Sequence, residues 1–247
     1  MDIKQSILMI REANSRNKLI AFLGAGVSKN SGYSTWNDLV RDMDIQLNYS
    51  GESNGRDSYT SDELLKIPQF LSTKNKAEYT QLLRKHFDWL PTTTNPIVDT
   101  VLQIRPHHII TTNFDKLIEF SLALKGKDIV EKYSMKKYCP VYHDKDILNA
   151  DGDNFLIKMH GDISQVEQMV LRERDYLDYS SEHPVLENFI KTLLIDHTFL
   201  FVGYGLGDYN LKLIMNWVDV AIRQSKAIGI DARKHFYINA SSEPMSP

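Results

Sequence analysis

The sequence contains a single cysteine, Cys139, in 247 residues. One thiol cannot form an intramolecular disulfide, and it cannot build a zinc site from several thiolates. So little cysteine is typical of a reducing compartment, which indicates the cytoplasm. Long apolar segments are also missing, because nowhere do about 18 uninterrupted apolar residues occur, and the apolar run near the N-terminus is too short for a signal peptide. We therefore expect a protein that is neither secreted nor membrane-spanning.

Charge of one sign is not concentrated anywhere in the chain. The 29 Lys and Arg residues against 32 Asp and Glu residues give a formal net charge of −3. No stripe of Lys and Arg is present, so the electrostatic footprint of a protein that binds nucleic-acid phosphates is absent. His107 and His108 have no carboxylate or thiol partners at ligand spacing. We expect neither nucleic acid nor a metal ion as a direct ligand.

What the sequence does contain is an alternation of short apolar runs and stretches with helical periodicity. With 42% hydrophobic and 25% charged residues, the composition is ordinary for a globular domain with one buried core. This alternation favours an α/β fold, a three-layer sandwich with a mostly parallel sheet covered by helices on both faces. The predicted strands are residues 19–23, 108–112, 154–159, 198–203 and 235–239, with a weaker one near 129–133.

The first and second predicted strands are separated by more than 80 residues, which is too many for a simple crossover. Residues 42–102 are therefore predicted to form a helical insert within one domain that spans residues 1–247. Thr60 and Glu63 have the spacing of a capping box at the start of one helix in this insert.

Two later helices have recognisable starts. Asn113 precedes a predicted helix over residues 114–124, and Asp208 precedes another; both residue types are favoured N-caps. Trp36 and Trp217 fall on helical faces with apolar neighbours, and core packing is the role that we expect for both.

The segment from Lys18 to Ser28 runs from an apolar strand directly into a turn of small residues. Gly24, Ala25 and Gly26 leave backbone amides uncovered by side chains, and Ser28 can cap the helix that follows. The N-terminus of a helix behind such a turn attracts phosphate groups. Glycine turns between strand and helix also allow close packing without any ligand, and from this segment alone both interpretations stay open.

Three further segments follow predicted strands. Because ligands bind beyond the carboxyl ends of parallel strands, we expect these segments to meet the glycine turn at one edge of the sheet. Asn113 is an N-cap, a ligand contact, or both. His160 is the one good candidate for a base, although an ordinary loop histidine would look the same. The candidate positions in these segments are Thr112, Asn113, Asp115, His160, Gly203, Tyr204, Gly205 and Asp208.

Two glycine-rich turns suggest a dinucleotide, but two well-known phosphate-binding patterns do not fit. The third glycine of the G-x-G-x-x-G fingerprint of hydride-transfer domains is replaced by Lys29. The P-loop pattern has two glycines separated by four residues, followed by Lys and then Ser or Thr. Lys29 does not stand in this pattern. Hydride transfer and ATP hydrolysis are both disfavoured.

Taken together, the motifs GAGVS, SGYSTW, TTNFD, KMHGD and FVGYGLGD resemble the sirtuin family, and more closely the SIR2-like domains of prokaryotic antiphage defence proteins. The resemblance spans nearly the whole chain and includes the segment SDELLKIPQFL. It implies a Rossmann-like (DHS-like) NAD-binding fold that cleaves the nicotinamide–ribose bond of NAD⁺ and so depletes NAD⁺ in infected cells. It also implies gating by homo-oligomerisation, through this chain or a C-terminal region, by a phage-protein trigger or defence-system partner, or by a C-terminal sensor region. We therefore expect the chain to be the N-terminal part of a larger protein.

The resemblance also implies roles for residues at the strand ends. Asn113 would position water on the ribose, and His160 would be the general base. The resemblance implies contacts with three parts of NAD⁺. The pyrophosphate would lie along Gly24, Ala25, Gly26 and Ser28, and the nicotinamide and its ribose near Asn113 and Asp115. The adenosine would lie by Gly203, Tyr204 and Gly205, and the further implied contacts are Thr112 and Asp208. The four-cysteine zinc module of deacetylating sirtuins is missing, and Thr35, Trp36 and Asn37 stand where those enzymes carry Asp-Phe-Arg. Acyl-lysine is therefore a doubtful substrate.

The chemistry of the leaving group agrees with hydrolysis. Nicotinamide leaves from a pyridinium cation as a neutral molecule, so it needs no acid, and the paired carboxylates of ordinary glycosidases are not expected. An Asn carbonyl can orient the nucleophile, and a neutral His can accept its proton. Two alternatives stay open: a module that senses NAD or ADP-ribose without turnover, and an NAD-dependent deacylase or ADP-ribosyltransferase.

Overall fold

A computed structural model describes residues 2–124, 138–204, 209–227 and 234–238 of the chain. The weaker predicted strand near residues 129–133 lies outside these described residues. So do the site candidates Gly205 and Asp208, and Asn239 at the end of the last predicted strand.

In the described part of the chain, six parallel strands form one sheet in the order β3-β4-β2-β1-β5-β6. The predicted α/β architecture with a mostly parallel sheet is therefore confirmed. The strands are β1 (Leu19–Leu23), β2 (His108–Thr111), β3 (Cys139–Val141), β4 (Phe155–Lys158), β5 (Thr198–Val202) and β6 (Phe236–Ile238).

The long connection between β1 and β2 contains five helices. The predicted capping box at Thr60 is present, because the Glu63 amide donates to the Thr60 hydroxyl and the Thr60 amide donates to the Glu63 carboxylate at 2.9 Å. The helices before β2 are α1 (Ile3–Ser15), α2 (Ala25–Lys29), α3 (Trp36–Leu47), α4 (Ser61–Lys74), α5 (Lys76–Phe87) and α6 (Pro96–Ile104). After β2 come α7 (residues 117–124), α8 (Asp144–Leu148), a 3₁₀ helix (Ile163–Gln168), α9 (Glu173–Leu177), α10 (Tyr179–Glu182), α11 (Pro184–Asp196) and α12 (Tyr209–Ala227).

Strand β1 lies at the centre of the molecule and is buried on both faces. Successive side chains of a strand point to opposite faces. Leu19, Ala21 and Leu23 accordingly pack with the core formed by α3–α7, whereas Ile20 and Phe22 pack with the core formed by α11 and α12. This alternation produces the three layers, and it explains why β1 is apolar at every position.

Strand β3 was not predicted from the sequence. It has three residues, and its central residue is Pro140, which cannot donate a hydrogen bond to a sheet. Proline is accepted here because, among the described strands, β3 lies at the edge of the sheet and pairs only with β4. Within the described residues, no helix is both long and apolar enough to cross a membrane.

Candidate active site

The carboxyl ends of β1, β2, β4 and β5 meet at one edge of the sheet, as the sequence predicts. The strand registers pair Leu23 with both Thr111 and Val202, and pair Thr111 with Lys158. The segments that follow these strands therefore begin at the same level. Because β2 and β4 lie on one side of β1 and β5 lies on the other, this edge contains the topological switch point where open α/β sheets bind ligands.

Asn113 connects the segment after β2 to the glycine turn after β1. Its side-chain nitrogen donates to the Ser28 hydroxyl at 2.8 Å and to the Gly24 carbonyl at 3.1 Å. Its backbone amide donates to the Thr111 hydroxyl at 3.0 Å. Since both amide N–H groups are used, the Oδ1 atom of Asn113 is the group that can accept a hydrogen bond from a bound hydroxyl or water.

Two predicted helix caps are wrong. Helix α7 begins at residue 117, and Asp115 rather than Asn113 accepts a hydrogen bond from the Leu117 amide, at 3.0 Å. Ser28 lies inside α2 instead of preceding a helix. The side chains of Asn113 and Ser28 bond to each other instead, because the loop that carries Asn113 reaches the glycine turn.

The amides of Gly24 and Gly26 are not open to solvent or ligand in this conformation. Gly24 donates to the Val202 carbonyl at 2.9 Å, and Gly26 donates to the Gly203 carbonyl at 2.7 Å. A Cβ atom on Gly26 would lie 2.6 Å from the Gly203 oxygen, and one on Gly24 would lie 2.7 Å from the Tyr204 ring. Glycine is needed here because the turns after β1 and β5 touch through their backbones. The structure thus supports the packing interpretation, and contact with a pyrophosphate stays a prediction.

The segment after β5 is also packed into the fold. Gly203 has a φ of +79°, which favours glycine. Tyr204 is buried, and its hydroxyl lies 3.1 Å from the Thr112 hydroxyl, while its ring packs against Phe22 at 5.4 Å between centroids. The hydroxyl of Tyr204 therefore hydrogen-bonds to Thr112 within the protein and is not exposed to a ligand in this conformation.

A cavity of about 60 Å³ lies where these segments meet. It is much smaller than the roughly 300–1,000 Å³ typical of small-molecule sites. The described space beside Asn113 is therefore too small for a dinucleotide. Five residues singled out in the sequence line the cavity: Ala25, Ser28, Thr112, Asn113 and Asp115. Six others were missed as lining residues: Ser34, Trp36, Phe87, Phe114, Leu171 and Tyr176.

Trp36 and Tyr176 form an aromatic wall of this cavity. Their rings stack with centroids 6.2 Å apart. Trp36 packs against the core as predicted, but it also faces the cavity, and its Nε1 is buried without a hydrogen-bond partner among the described residues. Tyr176 lies on the five-residue helix α9, and nothing in the local sequence distinguishes it from any other partly buried tyrosine.

His160 lies next to the cavity but does not line it. Its side chain is 1% exposed, and its ring meets the ring of Tyr176 edge-on at 5.4 Å between centroids. Burial, followed by the nearby His183, lowers the pKa of His160 to about 3. The imidazole is therefore neutral at pH 7, which is the form that can accept a proton. Its Nδ1 has no hydrogen-bond partner within the described part of the chain.

Comparisons with known proteins identify relatives of this chain. The chain is 35% identical over 248 residues to "Defense-associated sirtuin 2" of Bacillus subtilis, which covers 99% of this chain and 23% of that protein. It is 29% identical over 231 residues to "NAD(+) hydrolase ThsA" of Enterococcus faecium, which covers 92% of this chain and 45% of that protein. It is 28% identical over 240 residues to the protein of the same name from Bacillus cereus (strain MSX-D12), with 94% and 45% covered.

The chain therefore spans less than half the length of these relatives. A family model described as "SIR2-like domain" matches residues 107–246, more than half of the chain. That match includes the segments after β2, β4 and β5, and the relatives extend the similarity over the glycine turn. The chain belongs to the family of SIR2-like domains.

Proposed function

We propose that this chain is an NAD⁺ glycohydrolase that cleaves the nicotinamide–ribose bond with water, giving nicotinamide, ADP-ribose and a proton. Relatives named NAD(+) hydrolase are similar to it over more than nine tenths of its length. The observation that carries the proposal is Asn113, which lines the cavity with its amide nitrogen already bonded to Ser28 and Gly24.

The chemistry follows from what this bond requires. As nicotinamide leaves, positive charge develops on the ribose, and a water molecule must be held on the open face of the ring. The Oδ1 atom of Asn113 accepts a hydrogen bond from that water or from a ribose hydroxyl, which fixes its direction of attack. The nearby carboxylate of Asp115 favours the developing positive charge. Neutral His160 accepts the proton that the water loses.

The roles of the remaining residues belong to the same proposal. The turn formed by Gly24, Ala25, Gly26 and Ser28 would hold the pyrophosphate once the turn after β5 moves away from it. Thr112, Gly203, Tyr204, Gly205 and Asp208 would contact the rest of NAD⁺. Since a cavity of about 60 Å³ cannot hold NAD⁺, we propose that the described conformation is a resting state.

Opening must bring His160 to the cavity, and Tyr176 contacts both the cavity and the His160 ring. We propose that opening accompanies homo-oligomerisation or the binding of a phage-derived trigger. The biological outcome would be depletion of NAD⁺ in the cytoplasm of infected cells, and the relative named "Defense-associated sirtuin 2" supports a role in defence. Residues 42–102 would act as a helical insert within this one catalytic domain.

Incubation of the protein with NAD⁺, followed by chromatography of nicotinamide and ADP-ribose, tests the proposal. We expect equal amounts of the two products, and loss of both in Asn113→Ala. Asn188→Ala is a suitable control, because Asn188 is exposed on α11. Undiminished release by Asn113→Ala, or no release by the protein in any native assembly state, would rule the assignment out.

A further inference from the structure

Lys158 is the last residue of β4, and its side chain is almost completely buried. Its ammonium group lies 2.5 Å from the carboxylate of Asp162 and 3.1 Å from that of Glu119. Lys116 also contacts Asp162, at 2.6 Å. These two lysines and two carboxylates form a neutral cluster of four charges, which we call the Lys158 cluster.

Stability alone does not account for such a cluster. Charges lose their hydration on burial, and replacing a buried ion pair with apolar side chains of similar volume often leaves a protein equally stable or more stable. Burial raises the pKa of the Asp162 carboxyl, but the positive charge of Lys158 and hydrogen bonds from Lys116 and Lys158 hold it below its ordinary value. The Asp162 carboxylate is thus charged although it is buried, which indicates a role other than stability.

The Lys158 cluster joins the two loops that carry the candidate catalytic residues. The Lys158 ammonium donates to the carbonyl of Phe114 at 3.2 Å and to the carbonyl of Asp115, the two residues that follow Asn113. Its partner Asp162 lies two residues after His160. The Phe114 carbonyl also accepts a hydrogen bond from the Ile163 amide at 3.0 Å. One buried ammonium group therefore binds both loops at their bases.

We propose that Lys158 is a positioning residue, whose ammonium group sets the separation between the Asn113 loop and the His160 loop so that both residues act on one ribose. The inference rests on the proposed NAD⁺ hydrolysis. A displacement of about 1 Å between reacting groups can cost roughly 100-fold in rate. Lys158 lies behind the loops rather than in the cavity wall, so its loss affects the chemical step more than substrate binding.

The test is the double variant Lys158→Met/Asp162→Asn, in which the cluster stays neutral because one charge of each sign is removed. The amide that replaces the Asp162 carboxylate keeps an oxygen for the Ser164 amide, which Asp162 Oδ1 binds at 2.9 Å. We expect kcat for nicotinamide release to fall about 10- to 100-fold, with KM for NAD⁺ within about threefold. The thermal midpoint of unfolding should fall, because the Asp115 carbonyl and Glu119 lose the Lys158 donor, so the kinetics are measured at a temperature at which the variant is folded.

The matched control is Lys191→Met/Glu187→Gln, which removes a Lys–carboxylate pair on α11 whose glutamate is also buried. This control touches neither loop and should keep the wild-type kcat. If the double variant does not fold, Asp162→Asn alone is measured, and a smaller fall in kcat at constant KM is expected.

Three results would overturn the inference: an unchanged kcat in a folded variant, a rise in KM that accounts for the whole loss, or an equal loss in the control pair. An inactive wild-type protein would instead refute the proposed function.

Discussion

Asn113 and Ser28 are 85 residues apart in the chain, yet the side-chain nitrogen of Asn113 donates to the Ser28 hydroxyl at 2.8 Å. Ser28 lies in α2 and is 4% exposed, so this bond is protected from water. It fixes the amide plane of Asn113 and thereby decides that Oδ1 is the atom that can accept a bond from a ligand.

Ser28→Ala should therefore lower kcat for NAD⁺ hydrolysis by about 3- to 30-fold, because the amide of Asn113 loses one of its two acceptors and can rotate. The free energy of unfolding should fall by about 1–2 kcal/mol. Both are measurable by nicotinamide release and urea denaturation. Ser31→Ala is a close control, since Ser31 accepts a similar bond from Asn95 at 2.8 Å but does not line the cavity. Equal loss of activity in the two variants would contradict the prediction.

Tyr176→Ala should raise the pKa of His160 from about 3 towards its ordinary value of 6.5, because removal of the ring admits water to the imidazole. An NMR titration of the His160 ring measures this shift directly. Tyr176→Phe keeps the ring in place, so its His160 should titrate like that of the wild type. A pKa for His160 that stays near 3 in Tyr176→Ala would show that Tyr176 does not shield it.

The stability of the protein should fall in acid because of His160. Its pKa is about 3 in the folded state and 6.5 in the unfolded state, so between these values the unfolded chain binds more protons. The free energy of unfolding is therefore highest above pH 6.5 as far as His160 is concerned. As the pH falls from 6.5 towards 3, this free energy decreases by up to about 1.4 kcal/mol per pH unit.

In His160→Gln the free energy of unfolding should depend less on pH between about 6.5 and 5, which urea titrations at several pH values will show. Some slope should remain, because burial also lowers the pKa of His235, to about 4. Identical slopes in the variant and the wild type would contradict the prediction.

Gly203→Ala should destabilise the protein by about 3 kcal/mol or more, because two costs add. Its φ of +79° strains any residue with a Cβ, and that Cβ would lie 2.6 Å from the Val27 side chain. Gly51→Ala is the matched control: its φ is +74°, but no atom lies within 4 Å of the added Cβ. Gly51→Ala should cost only about 1 kcal/mol. Thermal or urea unfolding compares the two, and equal losses would argue against close packing at Gly203.

The sequence was most informative where the residues of one short segment decide its structure. β1 was predicted with its full extent because every residue from 19 to 23 is apolar, as a strand buried on both faces requires. The capping box at Thr60 was predicted for a similar reason, since all its partners lie within three residues. The predicted strands over 108–112, 154–159 and 198–203 were each one or two residues too long, because the strands end one residue before Thr112, Met159 and Gly203 and β4 begins one residue after Asn154.

The sequence was least informative where the partner of a side chain lies on a distant segment. The N-cap predicted at Asn113 was wrong because its partners Ser28 and Gly24 come from another strand end. The cavity-lining role of Tyr176 and the burial of Lys158 were missed for the same reason. Neither residue has a neighbour in sequence that reveals its position.

The sequence by itself determined the layers of the fold and which strand ends carry polar and glycine residues, because strand burial and helix periodicity are properties of local segments. Tertiary structure alone decided how those ends meet: the glycine amides bond to the turn after β5, Asn113 bonds to Ser28, and His160 lies behind Tyr176. These contacts join residues that are tens of positions apart, so only the folded sheet, which aligns its strand ends at one edge, brings them within bonding distance.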